Sequence, residues 1–130
     1  MTGLIKRLEE AEGPDRELSN AIYAELNPLL KPVGGEASSN RFYNPNKISR
    51  RAAEKYIVSG GATSYAPHYT SSIDSALTLV PDGWGFGIFP ECTQLTYGPI
   101  PALKVILAKA KTPALAICIA SLKALQEQDT

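Results

Sequence analysis

Apolar residues near the start of the chain recur at the spacing of one helical face. The first run has Thr2 as a capping residue and ends at Gly13. Its apolar positions are Leu4, Ile5, Leu8 and Ala11. A second helix is predicted from Pro14, because proline suits a first helical turn and the acidic residues after it suit the positive helix end. It runs through Leu26, and Pro28 stops it.

The stretch from residue 27 to residue 66 contains no long periodic segment. Prolines, glycines and asparagines interrupt it so often that it predicts a polar loop region. Inside it, Ser49 is suited to cap a short helix over residues 50–53. Tyr56–Val58, just before two glycines, predicts a short strand.

The second half of the chain alternates between helical and strand patterns. Thr70 or Ser71 is predicted to cap a helix that ends before Pro81. Asp74 stands at the capping-box position of Ser71. The predicted buried positions of this helix are Ile73, Ala76, Leu77 and Val80. Period-two patterns then predict strands at Trp84–Phe89, Gln94–Tyr97 and Leu103–Ala108. The last helix opens at Thr112–Pro113 and carries one apolar face bordered by alanines.

Helices before, between and after short strands predict an α+β fold in which a small, mainly antiparallel sheet is covered by helices. A length of 130 residues and an apolar content of 44% suit one globular domain over residues 1–130, with the loop region at about 27–66. Thirteen basic and thirteen acidic side chains cancel, which excludes the global field of a general nucleic-acid binder. No apolar run approaches the roughly 18 residues of a membrane span. We therefore expect a cytoplasmic protein with no membrane partner.

Three separate segments resemble the phage ABA sandwich domain family, a group of small phage and prophage proteins. Their motifs are LIKRLEEAEGPDREL at Leu4–Leu18, YTSSIDSALTLVP at Tyr69–Pro81 with Gly83-Trp84 after it, and TPALAICIASL at Thr112–Leu122. The resemblance implies an αβα sandwich and a bacterial host cell as the place of action. It implies no catalytic residues, because that family has no established activity.

His68 is the only histidine, so any histidine-dependent catalysis must use it. The hydroxyls that follow it and Asp74 suit such chemistry, but they equally suit a first helical turn, where they satisfy free backbone N–H groups. We therefore predict no catalytic residues and no enzyme activity. A small phosphodiesterase or nucleotide-processing enzyme based on His68 is the alternative. Cys92, Cys118 and one histidine lack the ligand spacing of a zinc site, so no metal and no cofactor are predicted.

A cluster of cations and aromatic residues in the loop region is the predicted binding site. It consists of Arg41, Phe42, Tyr43, Lys47, Arg50, Arg51, Lys55 and Tyr56. Guanidinium groups pair with phosphate, and aromatic rings stack on bases, so this composition suits a nucleotide or RNA contact. The same composition is also typical of an ordinary solvated loop.

The favoured function is non-catalytic binding and inhibition of a host defence component, as an anti-CRISPR inhibitor or a signalling-nucleotide binder would perform. The expected partner is a host protein, a ribonucleoprotein, or a phosphate-bearing ligand such as a signalling nucleotide. A virion or assembly accessory protein is a further alternative. Self-association into a homo-oligomer through unpaired sheet edges is a further alternative.

Overall fold

A computed structural model of the chain describes residues 2–33, 40–55, 63–90, 92–98 and 103–128. Within these ranges the strands form two antiparallel sheets of three strands each, and the chain is an α+β protein. The predicted fold class is confirmed, although the strands are divided between two sheets. The further expectation of an αβα sandwich stays a prediction.

Five helices and six strands are found in the described residues. The helices are α1 (Thr2–Glu10), α2 (Arg16–Leu26), α3 (Arg50–Lys55), α4 (Ile73–Leu77) and α5 (Pro113–Gln128). The strands are β1 (Lys31–Pro32), β2 (Arg41–Tyr43), β3 (Thr63–Tyr65), β4 (Gly85–Ile88), β5 (Thr93–Tyr97) and β6 (Lys104–Ala108). The predicted strand at Tyr56–Val58 lies outside the described residues.

The chain divides into two compact units, which are described separately. The first unit comprises residues 1–15 and 68–130, and the second comprises residues 16–67. The second unit therefore contains the whole of the predicted loop region together with α2. This division does not decide the prediction of a single domain, which stays a prediction.

In the first unit, α5 packs on a sheet with the strand order β4-β5-β6. Leu95, in the central strand, pairs with Phe86 on one side and Ile106 on the other. Leu95 and Ile106 are buried on the face of the sheet that α5 covers. Every residue of α5 from 114 to 122 is also buried. The helix is contacted by β5 and β6 of the sheet and also by α1 and α4. The alanines allow this close approach from several directions.

Of the four predicted helix caps, two are confirmed and two are wrong. Thr2, predicted to cap α1, is instead the first residue of that helix, and its Oγ1 accepts a hydrogen bond from Gln126 Nε2 at 2.8 Å. Thr112 Oγ1 accepts a hydrogen bond from Leu115 N at 3.2 Å, and Ser49 Oγ accepts one from Ala52 N at 3.1 Å. Helix α4, in contrast, is capped by Ser72, whose Oγ accepts from Ser75 N at 3.2 Å. The cap thus lies one residue after the later of the two predicted positions. Of the four positions predicted to be buried, Ala76 is buried, Leu77 and Val80 are half-buried, and Ile73 is 42% exposed.

The second unit holds three strands of two or three residues in the order β1-β2-β3. The ring of Tyr23, on α2, packs edge-on against Phe42 with ring centroids 5.1 Å apart. The same tyrosine shares a hydrogen bond of 2.8 Å with the Ser64 hydroxyl on β3. These contacts join the helix to the sheet, so the region predicted as a loop contains a small core of its own.

Candidate functional site

The predicted binding residues lie on β2, on the turn after it and on α3 in the second unit. Five of the eight have described side chains. The side chains of Arg50 and Lys55 and the whole of Tyr56 lie outside the described part of the chain.

Phe42 and Tyr43 are core residues of the second unit. Only 2% of Phe42 and 6% of Tyr43 is exposed. Successive residues of a strand point to opposite faces, so β2 is covered on both faces at this point. A ring that stacks on a base needs a free face, and these two rings have none. The prediction that Phe42 and Tyr43 bind a ligand is therefore corrected.

Lys47 and Arg51 are exposed, while Arg41 is half-buried. Lys47 lies on a hydrogen-bonded turn, since its backbone N–H donates to the Asn44 carbonyl at 3.0 Å. The Asn44 side chain also accepts from Asn46 N at 2.9 Å, which further defines the turn. Arg51 follows in α3, which is anchored by the fully buried Ala53. The structure thus presents two cations, four residues apart, on defined backbone.

The two units carry opposite formal charge. Seven basic and four acidic residues give residues 16–67 a charge of +3, whereas six basic and nine acidic residues give the first unit −3. The neutrality of the whole chain therefore conceals a cationic unit. A net positive unit attracts polyanionic partners and raises their rate of association.

The hydroxyl groups near the exposed His68 are engaged with the backbone. Thr70, only 2% exposed, donates to the Asp15 carbonyl at 2.8 Å and accepts from Asp15 N at 2.9 Å. Ser71 Oγ donates to the His68 carbonyl at 3.4 Å, and Ser72 caps α4. These hydroxyls hold the entry to α4 in place, which is an architectural role.

The two cysteines are free thiols in different surroundings. Cys118 is fully buried on α5 and donates to the Tyr69 carbonyl at 3.4 Å. Burial raises the pKa of its thiol to about 12, despite a smaller lowering contribution from a hydrogen bond with the backbone of Cys118 itself. Cys118 is therefore protonated at neutral pH and unsuited to be a nucleophile. Cys92 is half-buried and lines a cavity of about 60 Å³ together with Lys111. No group of three potential metal ligands is found among the described residues.

A group of exposed apolar side chains on the first unit's sheet was not predicted as a functional surface. We call it the apolar strand surface, and its members are Phe86, Ile88, Phe89, Tyr97, Leu103, Val105 and Leu107, each between 39% and 57% exposed. Part of it is shaped by Gly87, because a Cβ there would lie 3.0 Å from the Phe89 ring. The strand register divides these side chains between the two faces of the sheet: Phe86 pairs with Leu95 on the face that α5 covers, whereas Val105 and Leu107 lie on the opposite face. Exposed apolar side chains that lie side by side, as Val105 and Leu107 do, mark candidate interaction sites. The sequence signal was the presence of apolar residues at both odd and even positions of β6.

No family model, curated protein or solved structure matches the chain. Membership of the phage ABA sandwich domain family therefore stays a prediction from the three motifs. None of the helices in the described ranges has the length and apolar character needed to cross a membrane.

Proposed function

We propose that this chain is a non-catalytic accessory protein of phage or prophage origin that binds and inhibits a component of host defence in the bacterial cytoplasm. The observation that carries the proposal is the pair of exposed cations, Lys47 and Arg51, on a unit of net charge +3. The resemblance of three motifs to a phage family supports the origin.

The charge of the second unit favours a partner that carries phosphate, such as a ribonucleoprotein or a signalling nucleotide. Lys47 acts as a compact point charge, and the planar guanidinium of Arg51 is suited to pair with two phosphate oxygens at once. Because Phe42 and Tyr43 are buried, the contact relies on charge and backbone shape. Binding of this type weakens as salt concentration rises.

The arrangement near His68 supports binding over catalysis. A histidine acting as a general base needs a proton donor within hydrogen-bond reach, commonly a substrate or a side-chain hydroxyl. Here Thr70 is committed to Asp15 and Ser72 to the first turn of α4. Recruiting either hydroxyl for catalysis would break a contact that the fold uses.

The test compares two sets of variants of the full chain. Lys47→Glu with Arg51→Glu reverses the proposed contact, and Lys6→Glu with Arg7→Glu makes the same change of charge on the exposed face of α1. His68→Ala removes the imidazole. Each variant is expressed in a bacterial host with an active CRISPR or nucleotide-signalling defence. Phage plaquing on that host measures inhibition, and affinity capture with mass spectrometry identifies the bound partner.

We expect the Lys47/Arg51 variant to lose its ability to raise phage plaquing on the defended host, and also to lose the captured partner. The Lys6/Arg7 variant and His68→Ala should keep both. Loss of activity in His68→Ala alone, with the Lys47/Arg51 variant unaffected, would favour the enzymatic alternative and refute the proposal.

A further inference from the structure

The outer strand β6 combines an open hydrogen-bonding edge with exposed apolar side chains. Among the described residues, β6 is hydrogen-bonded to β5 on one side and is the last strand of its sheet. Val105 and Leu107 are 49% and 57% exposed on the face opposite α5, while Ile106 and Ala108 are buried on the helix face. An edge of this kind is a template for pairing with another strand.

We infer that β6 is the contact strand of a two-fold symmetric dimer, in which β6 of one copy pairs antiparallel with β6 of the other around Ile106. In this register Ile106 faces its own counterpart, and Val105 faces Leu107 of the second copy. The two three-stranded sheets become one sheet of six strands. Val105 and Leu107 of both copies then form one continuous apolar cluster, with Cβ atoms of facing residues roughly 5 Å apart.

The charges beside the edge are complementary under the same symmetry. A groove of about 590 Å³ between β6 and α5 is lined by Val105 and Ile106 of the strand and by Lys123, Gln126 and Glu127 of the helix. The groove thus places the middle of the strand beside the stretch 123–127 of the helix. A two-fold axis at Ile106 sets the two α5 helices antiparallel, so Lys123 of each copy faces Glu127 of the other. This reciprocity is what a symmetric dimer interface requires.

Lys123 already has an ion-pair partner, Glu9, and pairing with Glu127 of the second copy would replace it at small cost to Lys123. Its ammonium lies 3.8 Å from a Glu9 carboxylate oxygen, and both side chains are more than one-third exposed. Exposed pairs of this type contribute little to stability, so replacing Glu9 by Glu127 of the second copy loses little.

The opposite edge of the sheet is less suited to pairing. Strand β4 contains Gly85 and Gly87, and glycine weakens a strand because it adds backbone freedom and no side-chain contact. The Phe89 ring also lies against Gly87. Strand β6, with Val105, Ile106 and Leu107 in succession, carries the residue types that favour a sheet.

A charge-swap experiment tests the register. Val105→Lys with Leu107→Lys places lysines opposite lysines across the two-fold axis, and Val105→Glu with Leu107→Glu places glutamates opposite glutamates. At about 100 µM, a concentration suited to a micromolar dimer, we expect sedimentation of the unaltered protein at twice the 14.0 kDa mass of one chain. Each double variant should be monomeric, and a mixture of the two should recover the dimer.

Thr96→Lys is the matched control. Thr96 pairs with Val105 and lies on the same face of the sheet, but on the central strand. It should leave a dimer joined by strand edges intact. Loss of the dimer in this variant would mean that sheet faces are joined, and would overturn the inference. A monomeric unaltered protein, dimeric double variants, or a mixture that stays monomeric would each overturn it as well.

Disulfide trapping provides a readout that does not depend on the charged variants. Ile106→Cys puts a thiol on the two-fold axis, where facing Cβ atoms come close to disulfide distance. In a Cys92→Ser background this variant should form a covalent dimer under mild oxidation, whereas Lys104→Cys should not, because residue 104 faces Ala108. Equal trapping at both positions, or none at Ile106→Cys, would contradict the register.

Discussion

Replacing Thr70 by valine removes a hydroxyl that joins two parts of the first unit separated by 55 residues in sequence. Valine has nearly the shape of threonine, so the packing around this side chain, which is only 2% exposed, is conserved. The hydrogen bonds of 2.8 and 2.9 Å to the Asp15 carbonyl and N–H are lost. The substitution therefore isolates the contribution of the hydroxyl.

The expected magnitude follows from the two bonds. A hydrogen bond contributes about 0.5–1.5 kcal/mol net, and a partly buried backbone group left without a partner costs more. We expect Thr70→Val to lower the free energy of unfolding by about 2–3 kcal/mol. For a chain of this length, that corresponds to a fall in Tm of about 6–12 °C. Thr70→Ser keeps the hydroxyl and loses one buried methyl group, so it should cost only about 1 kcal/mol.

Urea denaturation followed by circular dichroism, with a thermal scan, measures these differences. Thr78→Val is the matched control, because its hydroxyl donates to the Ser75 carbonyl at 2.6 Å but is exposed at the end of α4. It should change the free energy of unfolding by less than about 1 kcal/mol. If Thr70→Ser proved more destabilising than Thr70→Val, the methyl group and not the hydroxyl would hold Asp15, and this reasoning would be refuted.

The remaining predictions concern the first unit. In the native protein, iodoacetamide should modify Cys92 while Cys118 resists, because a thiol of pKa about 12 is almost entirely protonated at pH 8 and is buried; peptide mass mapping checks this. Between pH 9 and 12 the folded thiol keeps its proton, whereas the unfolded thiol, with its ordinary pKa of 9.0, has lost it, so unfolding releases a proton. The free energy of unfolding should therefore fall by up to about 1.4 kcal/mol per pH unit in this window. In Cys118→Ala the fall should be less steep, because this thiol is absent. Gly83→Ala should lower the free energy of unfolding by about 1–2 kcal/mol, because its φ is +87° and a Cβ would lie 3.1 Å from the Tyr97 ring. Gly3→Ala, in α1 with open space around it, should instead raise it by up to about 1 kcal/mol; equal effects in a urea titration would contradict both assignments.

Local rules were sufficient wherever one residue type at one position decides the structure. Thr112 before a proline and Ser49 before a run of helix formers each had a single arrangement that satisfies the first helical turn. At Thr70, Ser71 and Ser72, three successive hydroxyls all suit a cap. In the structure Ser72 is the cap, while the Thr70 hydroxyl bonds Asp15 and the Ser71 hydroxyl donates to the His68 carbonyl. The contact with Asp15, 55 residues away, is not visible in the local sequence.

The strands of the second unit escaped prediction for a different reason. Strands β2 and β3 are each three residues long, which is too short for a period-two pattern to stand out. They exist because Arg41 pairs with Tyr65 and Phe42 with Ser64, partners more than twenty residues apart. Strand β6 is longer, and its period-two pattern predicted a strand at Leu103–Ala108, which the structure places at Lys104–Ala108 with Ile106 and Ala108 buried.

The aromatic residues of the predicted binding cluster show where composition misleads. A phenylalanine and a tyrosine beside an arginine suit both a base-stacking surface and a small core, and sequence alone does not distinguish the two. Burial of Phe42 against Tyr23 decides for the core. Among the side chains that the structure describes, the exposed cations Lys47 and Arg51 then remain for recognition. For the proposed phosphate-bearing partner, we therefore expect recognition of its phosphate groups by charge and spacing, and not recognition of its bases.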